Sequence, residues 1–282
     1  MTKTVEMLLN EGKAALTMFD NPPLEAQILL AHVLKCDRMK LYGWPEKVVS
    51  DEETTLFEEL VKRRQTHEPI AYLTGTKEFW SLIFHVTHDT LIPRFDTELL
   101  VEKVLHHLPE TPLSVLDLGT GCGAIACALA HTRPNWKITA TDVSAKALIV
   151  AKQNAERHHL PQIEFIESDW FKALGNRRFD AIVSNPPYIR EYDLHLMHGA
   201  LPFEPRISLT PGPSGLEAFR LIVATSLDHL NPQGLLAFEH GYDQANAVTQ
   251  ILDQAGLTDI KTYYDLAGLA RVTLGWRGSP SR

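Results

Sequence analysis

Hydrophobic positions change their spacing along the chain, from helical intervals near the N-terminus to short apolar runs further on. Residues 4 to 17 and 24 to 34 repeat apolar side chains every three or four positions, which predicts two amphipathic helices. Ser50 and Glu53 form a capping box in front of a third pattern of this kind. The sequence therefore predicts a small helical bundle over residues 1–75.

The pattern then changes to that of an α/β domain. Aromatic and β-branched side chains dominate from Glu78 to Val86, so residues 76–92 are expected to form a β-hairpin or linker. Beyond residue 93, apolar runs alternate with helical patterns, as in a parallel sheet with connecting helices. The predicted strands are residues 114–118, 137–141, 163–167, 180–183 and 234–239, with a final hairpin at 258–263 and 271–275. We expect the tail from Gly278 to Arg282 to be loose.

A glycine-rich segment follows the first of these strands and precedes an alanine-rich helix. Its residues are Gly119, Thr120, Gly121, Cys122 and Gly123. Glycines permit positive φ angles and allow a ligand to approach the main chain closely, so this turn is a candidate cofactor site. Dinucleotide-binding folds share the feature, but their spacing is G-x-G-x-x-G, and residue 124 here is alanine.

Two later strand ends carry further candidate cofactor contacts. Asp142 lies 19 residues beyond the last glycine, where a carboxylate can accept both ribose hydroxyls. Its alternative role is to cap the next helix, which Ser144 could do instead. Asp169 and Trp170 follow the third strand and can bind the amino group of an adenine and cover its ring, although Trp170 could also simply cap the core.

The fourth strand leads into Asn185-Pro186-Pro187-Tyr188. Each proline fixes φ at about −65° and lacks an N–H group, so the segment is stiff and extended. The Asn185 side-chain oxygen and the Pro186 carbonyl offer two acceptors for the hydrogens of a planar NH₂ group, and Tyr188 can stack on such a substrate. A turn that merely ends the strand is the alternative interpretation.

Together the four strand ends predict a methyltransferase that uses S-adenosylmethionine, with S-adenosylhomocysteine as its product, and that acts on a planar nitrogen. Nothing in a dehydrogenase requires the Asn-Pro-Pro-Tyr segment. The sulfonium carries its own electrophile, so the protein mainly positions the reactants. We therefore expect Asn185 to be the catalytic residue and assign no general base.

With further motifs, the chain resembles the PrmC/HemK family of protein-glutamine methyltransferases over nearly its whole length. These motifs are Arg63-Arg64, Glu68 to Gly75, Glu78-Phe79-Trp80, Leu91 to Glu98, Phe203-Glu204-Pro205 and Glu239-His240-Gly241. Two positions depart from the family pattern, because Phe95 replaces the usual proline and Cys122 the usual threonine. The resemblance implies a class I, Rossmann-like methyltransferase domain over residues 93–282, with a seven-stranded mixed sheet that ends in an antiparallel hairpin.

The resemblance also implies a substrate, the glutamine of the Gly-Gly-Gln loop in peptide chain release factors. Asn185, Pro186, Pro187 and Tyr188 would hold that glutamine. The glycine turn, Asp142, Asp169, Trp170 and Asn185 would hold the cofactor. The helical bundle would recognise the release factor, or else only cover a face of the sheet. The long polar segment from Glu191 to Pro213 is expected to close over the substrate.

Composition and charge weaken the alternative hypotheses about function but do not exclude all of them. The 282 residues carry a net charge of −8 and show no basic stripe beyond Lys62-Arg63-Arg64, which weakens an interpretation as an adenine or cytosine methyltransferase acting on nucleic acid. A non-catalytic module that binds release factors is the third hypothesis. No apolar run is long enough to cross a bilayer, and three cysteines form no C-x-x-C pair. We therefore expect a cytoplasmic monomer with no metal and no membrane partner.

Overall fold

The computed structural model describes residues 2–278, which form two compact units. The first unit contains the chain up to Thr76 together with His198–Phe203, and the second contains Lys77–Met197 and the chain from Glu204 onward. The first division, after Thr76, is one residue beyond the predicted end of the bundle at 75. The hairpin from Lys77 onward lies in the second unit, and the short later segment His198–Phe203 lies in the first. Residues 279–282, the end of the tail expected to be loose, lie outside the described residues.

The first unit is the expected helical bundle. Its elements are β1 (Lys3–Thr4), α1 (Val5–Ala15), α2 (Pro22–Val33), α3 (Arg38–Gly43), β2 (Val48–Val49), α4 (Asp51–Gln65) and α5 (Ile70–Thr74). Leu8, Leu29 and Phe57 lie at the centre of its core and are almost fully buried. The predicted capping box is present at the start of α4, where Ser50 and Glu53 satisfy each other's backbone N–H groups.

The second unit is an α/β domain that begins with the hairpin. Its elements are β3 (Thr76–Phe79), β4 (Leu82–His85), α6 (Thr97–His107), β5 (Ser114–Leu118), α7 (Ala124–Thr132), β6 (Lys137–Asp142), α8 (Ala145–Arg157), β7 (Ile163–Glu167), β8 (Phe179–Ser184), α9 (Glu217–His229), β9 (Leu230–Glu239), α10 (Ala245–Gln254), β10 (Thr258–Tyr264) and β11 (Ala270–Trp276). Three short 3₁₀ turns lie between β8 and α9. Helix α6 was not expected from the sequence.

Strands β5 to β11 form one seven-stranded sheet in the order β10-β11-β9-β8-β5-β6-β7. The strands from β9 to β7 in this order are parallel, and β10 and β11 add an antiparallel hairpin at one edge. The mixed sheet with its terminal hairpin confirms the predicted fold class. Strands β5 and β8 are neighbours although the chain visits β6 and β7 between them, so the topological switch point lies between these two strands.

The register aligns the ends of the central strands. Leu118 pairs with Thr141 on one side and with Ser184 on the other, and Ser184 pairs in turn with Phe238. The residues one step beyond this row are Gly119, Asp142, Asn185 and Glu239. Parallel strands present their carboxyl ends at the same edge, so residues that are distant in sequence meet there.

Candidate active site

A cavity of about 540 Å³ opens at this edge of the sheet. Its size falls in the range of sites for small molecules and cofactors. Predicted site residues contribute Gly119, Gly121, Asp142, Asp169, Trp170, Asn185 and Pro187 to the lining. Thr120, Cys122, Gly123, Pro186 and Tyr188 lie outside it. All of the lining residues belong to the second unit.

The glycine turn presents main chain, rather than side chains, to the cavity. Gly119, Gly121 and Gly123 have φ angles of 72°, 57° and 85°, which residues with a Cβ adopt only under strain. A Cβ on Gly121 would meet no atom within 4 Å, whereas one on Gly123 would lie 3.2 Å from the Cβ of Ala151. Gly121 is therefore open toward a ligand, and Gly123 permits close packing between the turn and α8.

The other two residues of the turn point into the protein. Thr120 Oγ1 donates a hydrogen bond to Asp117 Oδ2 at 2.6 Å, and the Cys122 side chain is buried. The Cys122 carbonyl accepts a hydrogen bond from Asn154 Nδ2 at 2.8 Å. The same Asn154 side chain pairs with both the N–H and the C=O of His85 at the end of β4. Thr120 and Cys122 thus support the shape of the turn, which the hairpin and α8 brace through Asn154.

Asp142 closes the cavity beside this turn. Its Oδ2 accepts a hydrogen bond from Gly121 N and its Oδ1 accepts one from Ser144 N, both at 2.9 Å. The cap of α8 is Ser144, whose hydroxyl accepts from Ala147 N, so Asp142 does not serve as the helix cap. Burial raises the pKa of Asp142, and the backbone N–H groups of Ser144, Gly121 and Val143 oppose that rise by stabilising the carboxylate. A carboxylate that faces a cavity and is left with free lone pairs can accept ligand hydroxyls.

Trp170 forms another wall and has an unusual backbone. Its φ of 51° is rare for a residue with a large side chain. Ser168 stabilises this conformation, because its hydroxyl donates to Trp170 O at 2.8 Å and accepts from Ala173 N at 3.0 Å. The indole packs against the domain core and also lines the cavity. Its position therefore agrees with a core role, and a contact with an adenine stays a prediction. Asp169 is exposed and forms an ion pair with Lys172.

Asn185 and Pro186 carry the two predicted acceptor oxygens. Asn185 is half-buried, and its Nδ2 donates to Thr97 Oγ1 at 3.2 Å. Within residues 2–278, neither Asn185 Oδ1 nor the Pro186 carbonyl has a hydrogen-bond partner. The asparagine oxygen is therefore not engaged in the core and is free to meet an incoming NH₂ group.

Tyr188 lies differently from the stacking position expected of it. The ring packs against the core of the domain, and the hydroxyl donates to Glu239 Oε1 at 3.2 Å. Burial raises the pKa of this hydroxyl, and the nearby Glu239 carboxylate raises it further. The Tyr188 carbonyl also accepts from Gln244 Nε2 at 2.9 Å. In this structure the tyrosine holds the acceptor segment in place from behind, outside the cavity lining.

The segment after β8 contributes the remaining wall. Glu204 is buried, and both of its carboxylate oxygens accept hydrogen bonds from Arg94 Nη2, at 2.6 and 2.7 Å. Burial raises the pKa of Glu204, whereas the adjacent guanidinium favours its charged form. Directly after this ion pair, Pro205, Ile207 and Ser208 line the cavity. Arg94 therefore anchors the start of a wall that the sequence analysis expected to close over the substrate.

The charge of the lining favours a cationic ligand. Asp89, Asp142 and Asp169 line the cavity, and none of its described lining residues is lysine or arginine. S-adenosylmethionine bears a positive sulfonium, whereas a dinucleotide presents a negative pyrophosphate. The open main chain at Gly121, the Asp142 carboxylate and the Trp170 ring thus fit the predicted cofactor.

Two buried carboxylates, Asp117 and Glu239, received no role from the sequence. Asp117 lies beneath the glycine turn and Glu239 ends β9, both within otherwise apolar strands. A charged residue in such a run was an available signal, because carboxylates are almost never fully buried without a reason. Thr97 lies within the Leu91 to Glu98 motif, but its contact with Asn185 could not be inferred because 88 residues separate the two.

Asp117 yields a prediction about stability. Burial is the main cause that raises its pKa from the usual 3.8 to about 7, so the folded protein holds this proton more tightly than the unfolded chain. Its contribution to stability is therefore greatest below about pH 4 and is lost as the pH rises through about 7. We expect the Asp117→Asn variant to lose less stability between pH 5 and pH 8 than the wild type, by up to roughly 3 kcal/mol.

Urea unfolding of both proteins at the two pH values measures this difference. Both proteins share every other titrating group. A difference in how their free energies of unfolding change with pH therefore comes from Asp117. If the free energy of unfolding changes with pH equally in the two proteins, the raised pKa assigned to Asp117 is contradicted.

The described residues hold neither a metal-binding cluster nor a helix that could span a membrane. Within residues 2–278, no group of three or more His, Cys, Asp or Glu side chains is arranged to hold a metal ion. None of the described helices combines the length and the apolar character that a bilayer crossing requires.

The chain is similar in sequence to two described protein families and to individual known proteins. Residues 7–75 match a family described as the PrmC N-terminal domain, and residues 95–199 match the methyltransferase small domain. A release factor glutamine methyltransferase from Shewanella oneidensis is 45% identical over 256 residues, 90% of either chain. One from Escherichia coli is 44% identical over 267 residues, 95% of this chain and 96% of its own.

A solved structure supports the fold. The Thermus thermophilus 16S rRNA N2 G1207 methyltransferase, in complex with AdoMet and guanosine, superposes with a TM-score of 0.52 at 18% identity. The superposition covers 72% of this chain and 50% of that one. At this identity the likeness concerns the methyltransferase fold alone.

Proposed function

The chain belongs to the release factor glutamine methyltransferase family, and from this premise we propose that it methylates the glutamine of the Gly-Gly-Gln loop in peptide chain release factors. The methyl donor is S-adenosylmethionine, and the acceptor is the side-chain amide nitrogen of the glutamine. Asn185 and Pro186 hold that amide, while the glycine turn, Asp142, Asp169 and Trp170 hold the donor.

One observation supports this assignment above the others. The Asn185 side chain lines a cavity that carboxylates also line, and its oxygen has no partner among the described residues. The carbonyl of the adjacent Pro186 has no partner there either. A primary amide offers its two hydrogens to these two acceptors. The substrate nitrogen is then held beside Asn185 and Pro186, with one face of the amide directed toward the cavity. The acidic lining suits a sulfonium and opposes the phosphates of a nucleic acid.

The chemistry needs positioning more than proton transfer. The glycine turn and Asp142 would hold S-adenosylmethionine, which would supply an electrophilic methyl group and keep the electron pair of its C–S bond on sulfur. Asn185 and Pro186 hold the two N–H bonds so that the lone pair is drawn out of amide conjugation. After attack the nitrogen is acidic and releases one proton to water. Alignment of this kind contributes about 7 to 11 kcal/mol in favourable systems.

We assign release-factor recognition to the helical unit. This proposal rests on the absence of its residues from the cavity lining, and on exposed side chains such as Tyr42 and Trp44, with Lys47 stacked over the indole. A cytoplasmic location and a monomeric state stay predictions from the sequence. Both agree with an enzyme whose substrate is a protein of translation.

Mass spectrometry of a purified release factor after reaction tests the function. We expect one added methyl group on the loop glutamine, and none on a release factor whose loop glutamine is replaced by alanine. A short peptide that carries the same Gly-Gly-Gln loop should also be methylated, with a higher KM because it lacks the surface that the helical unit recognises.

Two other outcomes would contradict the proposal. Methyl transfer to adenine or cytosine in nucleic acid, without transfer to release factor, would favour the amino-methyltransferase hypothesis. A protein that fails to bind S-adenosylmethionine in calorimetry would favour a non-catalytic binding module.

A further inference from the structure

Asn154 is a fully buried asparagine on α8 that uses every hydrogen-bonding group of its side chain. Its Oδ1 accepts from His85 N at 2.7 Å, and its Nδ2 donates to His85 O at 2.9 Å. The same Nδ2 also donates to Cys122 O at 2.8 Å. A carboxamide has two hydrogens to donate, so these two carbonyl oxygens use both of them.

On one side, Asn154 fixes a peptide group inside the glycine turn. The Cys122 carbonyl and the Gly123 N–H belong to a single peptide plane. The carbonyl meets Asn154, and Gly123 N donates to Thr120 O at 2.9 Å, so both ends of the plane are held. Because Cys122 has a glycine on each side, the chain itself resists rotation of this plane only weakly. The shape of the turn at Gly121, which lines the cavity, therefore depends on the side chain that holds the plane.

On the other side, Asn154 holds the end of the β3–β4 hairpin. Its two hydrogen bonds to the N–H and the C=O of His85 resemble the pairing that a neighbouring antiparallel strand would supply. Residues 88–91, which begin three positions beyond His85, line the cavity. A single buried side chain thus connects two parts of the cavity wall, the glycine turn and the segment that leaves the hairpin.

We propose that Asn154 is a positioning residue, which holds the glycine turn in the shape that binds S-adenosylmethionine and couples the hairpin to that site. This inference rests on the proposed function, since it takes the glycine turn as part of the cofactor site. The competing explanation is that Asn154 only attaches the hairpin to α8. His158, at the C-terminal end of α8, makes an attachment of that simpler kind, because its Nε2 donates to Ile83 O at 2.9 Å.

Leucine substitutions at these two positions form a matched pair. Asn154→Leu has a similar side-chain volume but removes the hydrogen bonds to the Cys122 carbonyl and to His85. We expect it to bind S-adenosylmethionine about 10-fold more weakly in calorimetry, because the turn is no longer held. His158→Leu removes a hydrogen bond between α8 and the hairpin and leaves the turn unchanged. Its affinity should stay within about 2-fold of the wild type.

Steady-state kinetics separates positioning from a loss of folded protein. For Asn154→Leu, the KM for S-adenosylmethionine should rise about 10-fold. The kcat at saturating cofactor should fall much less, since Asn185 and Pro186 still hold the substrate amide. A preparation in which part of the protein is unfolded would instead show a lower kcat and the wild-type KM.

Hydrogen exchange in the wild-type protein tests the coupling without any substitution. If the turn and the hairpin are coupled, a ligand that stabilises one must also stabilise the other. We expect S-adenosylhomocysteine to slow amide exchange in residues 77–85, and to slow exchange in α10 much less. Neither segment lines the cavity, so direct contact with the ligand does not explain a difference between them.

Three results would overturn the proposal. Equal losses of affinity in the two leucine variants would show that only attachment of the hairpin matters, and an unchanged affinity in Asn154→Leu would show that the turn needs no such support. If Asn154→Leu does not fold, exchange in residues 77–85 that the ligand slows no more than in α10 would overturn it. A wild-type protein that binds no S-adenosylmethionine would instead refute the proposed function.

Discussion

The Asn185→Ala variant is expected to methylate release factor more slowly than the wild type by on the order of 10²-fold or more. The substitution removes the side-chain oxygen that is free at the cavity, and it leaves only the Pro186 carbonyl to hold the substrate amide. One acceptor cannot fix both N–H bonds, so the nitrogen lone pair is no longer drawn out of conjugation. Steady-state methylation with saturating S-adenosylmethionine measures the loss in kcat.

The control is cofactor binding. The variant leaves the Gly121 main chain and the Asp142 carboxylate unchanged in the lining, so the S-adenosylmethionine affinity should change less than kcat. The Asn185→Asp variant adds a second test, because it keeps an acceptor but cannot donate to Thr97. We expect it to be impaired as well. Near wild-type turnover of Asn185→Ala would refute the catalytic role.

The second large effect is expected at Asp142. The Asp142→Ala variant should bind S-adenosylmethionine about 10- to 100-fold more weakly, because hydrogen bonds to a charged group contribute roughly 1.5–3 kcal/mol. It loses the carboxylate that faces the cavity and also the acceptor that holds Gly121 N in the glycine turn. Isothermal titration with S-adenosylmethionine measures the affinity directly.

Two matched variants separate the contributions. Asp142→Asn keeps an oxygen for the Gly121 N–H but removes the charge, so it should fall between Asp142→Ala and the wild type. Asp169→Ala also removes a lining carboxylate, but this residue is exposed and paired with Lys172, so we expect a smaller loss. An Asp142→Ala protein with wild-type affinity would show that the carboxylate has no part in holding the cofactor.

Local patterns predicted much of the sheet because they depend on neighbours in sequence. The strand at Ser114–Leu118 and the one at Ile163–Glu167 were placed at their observed limits, since short apolar runs with turn residues beyond them fit few other conformations. The capping box at Ser50 is confirmed for the same reason. Helix α6 was missed, although Leu100, Val101 and Val104 have helical spacing and are buried.

Side-chain directions were harder to predict than elements. Tyr188 was expected to face the substrate, but its ring packs into the core and its hydroxyl meets Glu239. Cys122 was expected in the cofactor cradle, yet only its main chain has a role there, because the side chain is buried. In both cases the backbone was placed correctly, and the contact depended on an element from another part of the sequence.

For this protein, sequence alone is enough to specify the glycine turn, the rigid Asn-Pro-Pro-Tyr segment and the methyltransferase class, because each follows from the conformational limits of a few adjacent residues. The orientation of Asn185 is a different matter. It depends on Thr97, 88 residues away, whose hydroxyl accepts a hydrogen bond from Asn185 Nδ2. Only folding brings α6 and the end of β8 together, so this contact could not follow from residues adjacent in sequence.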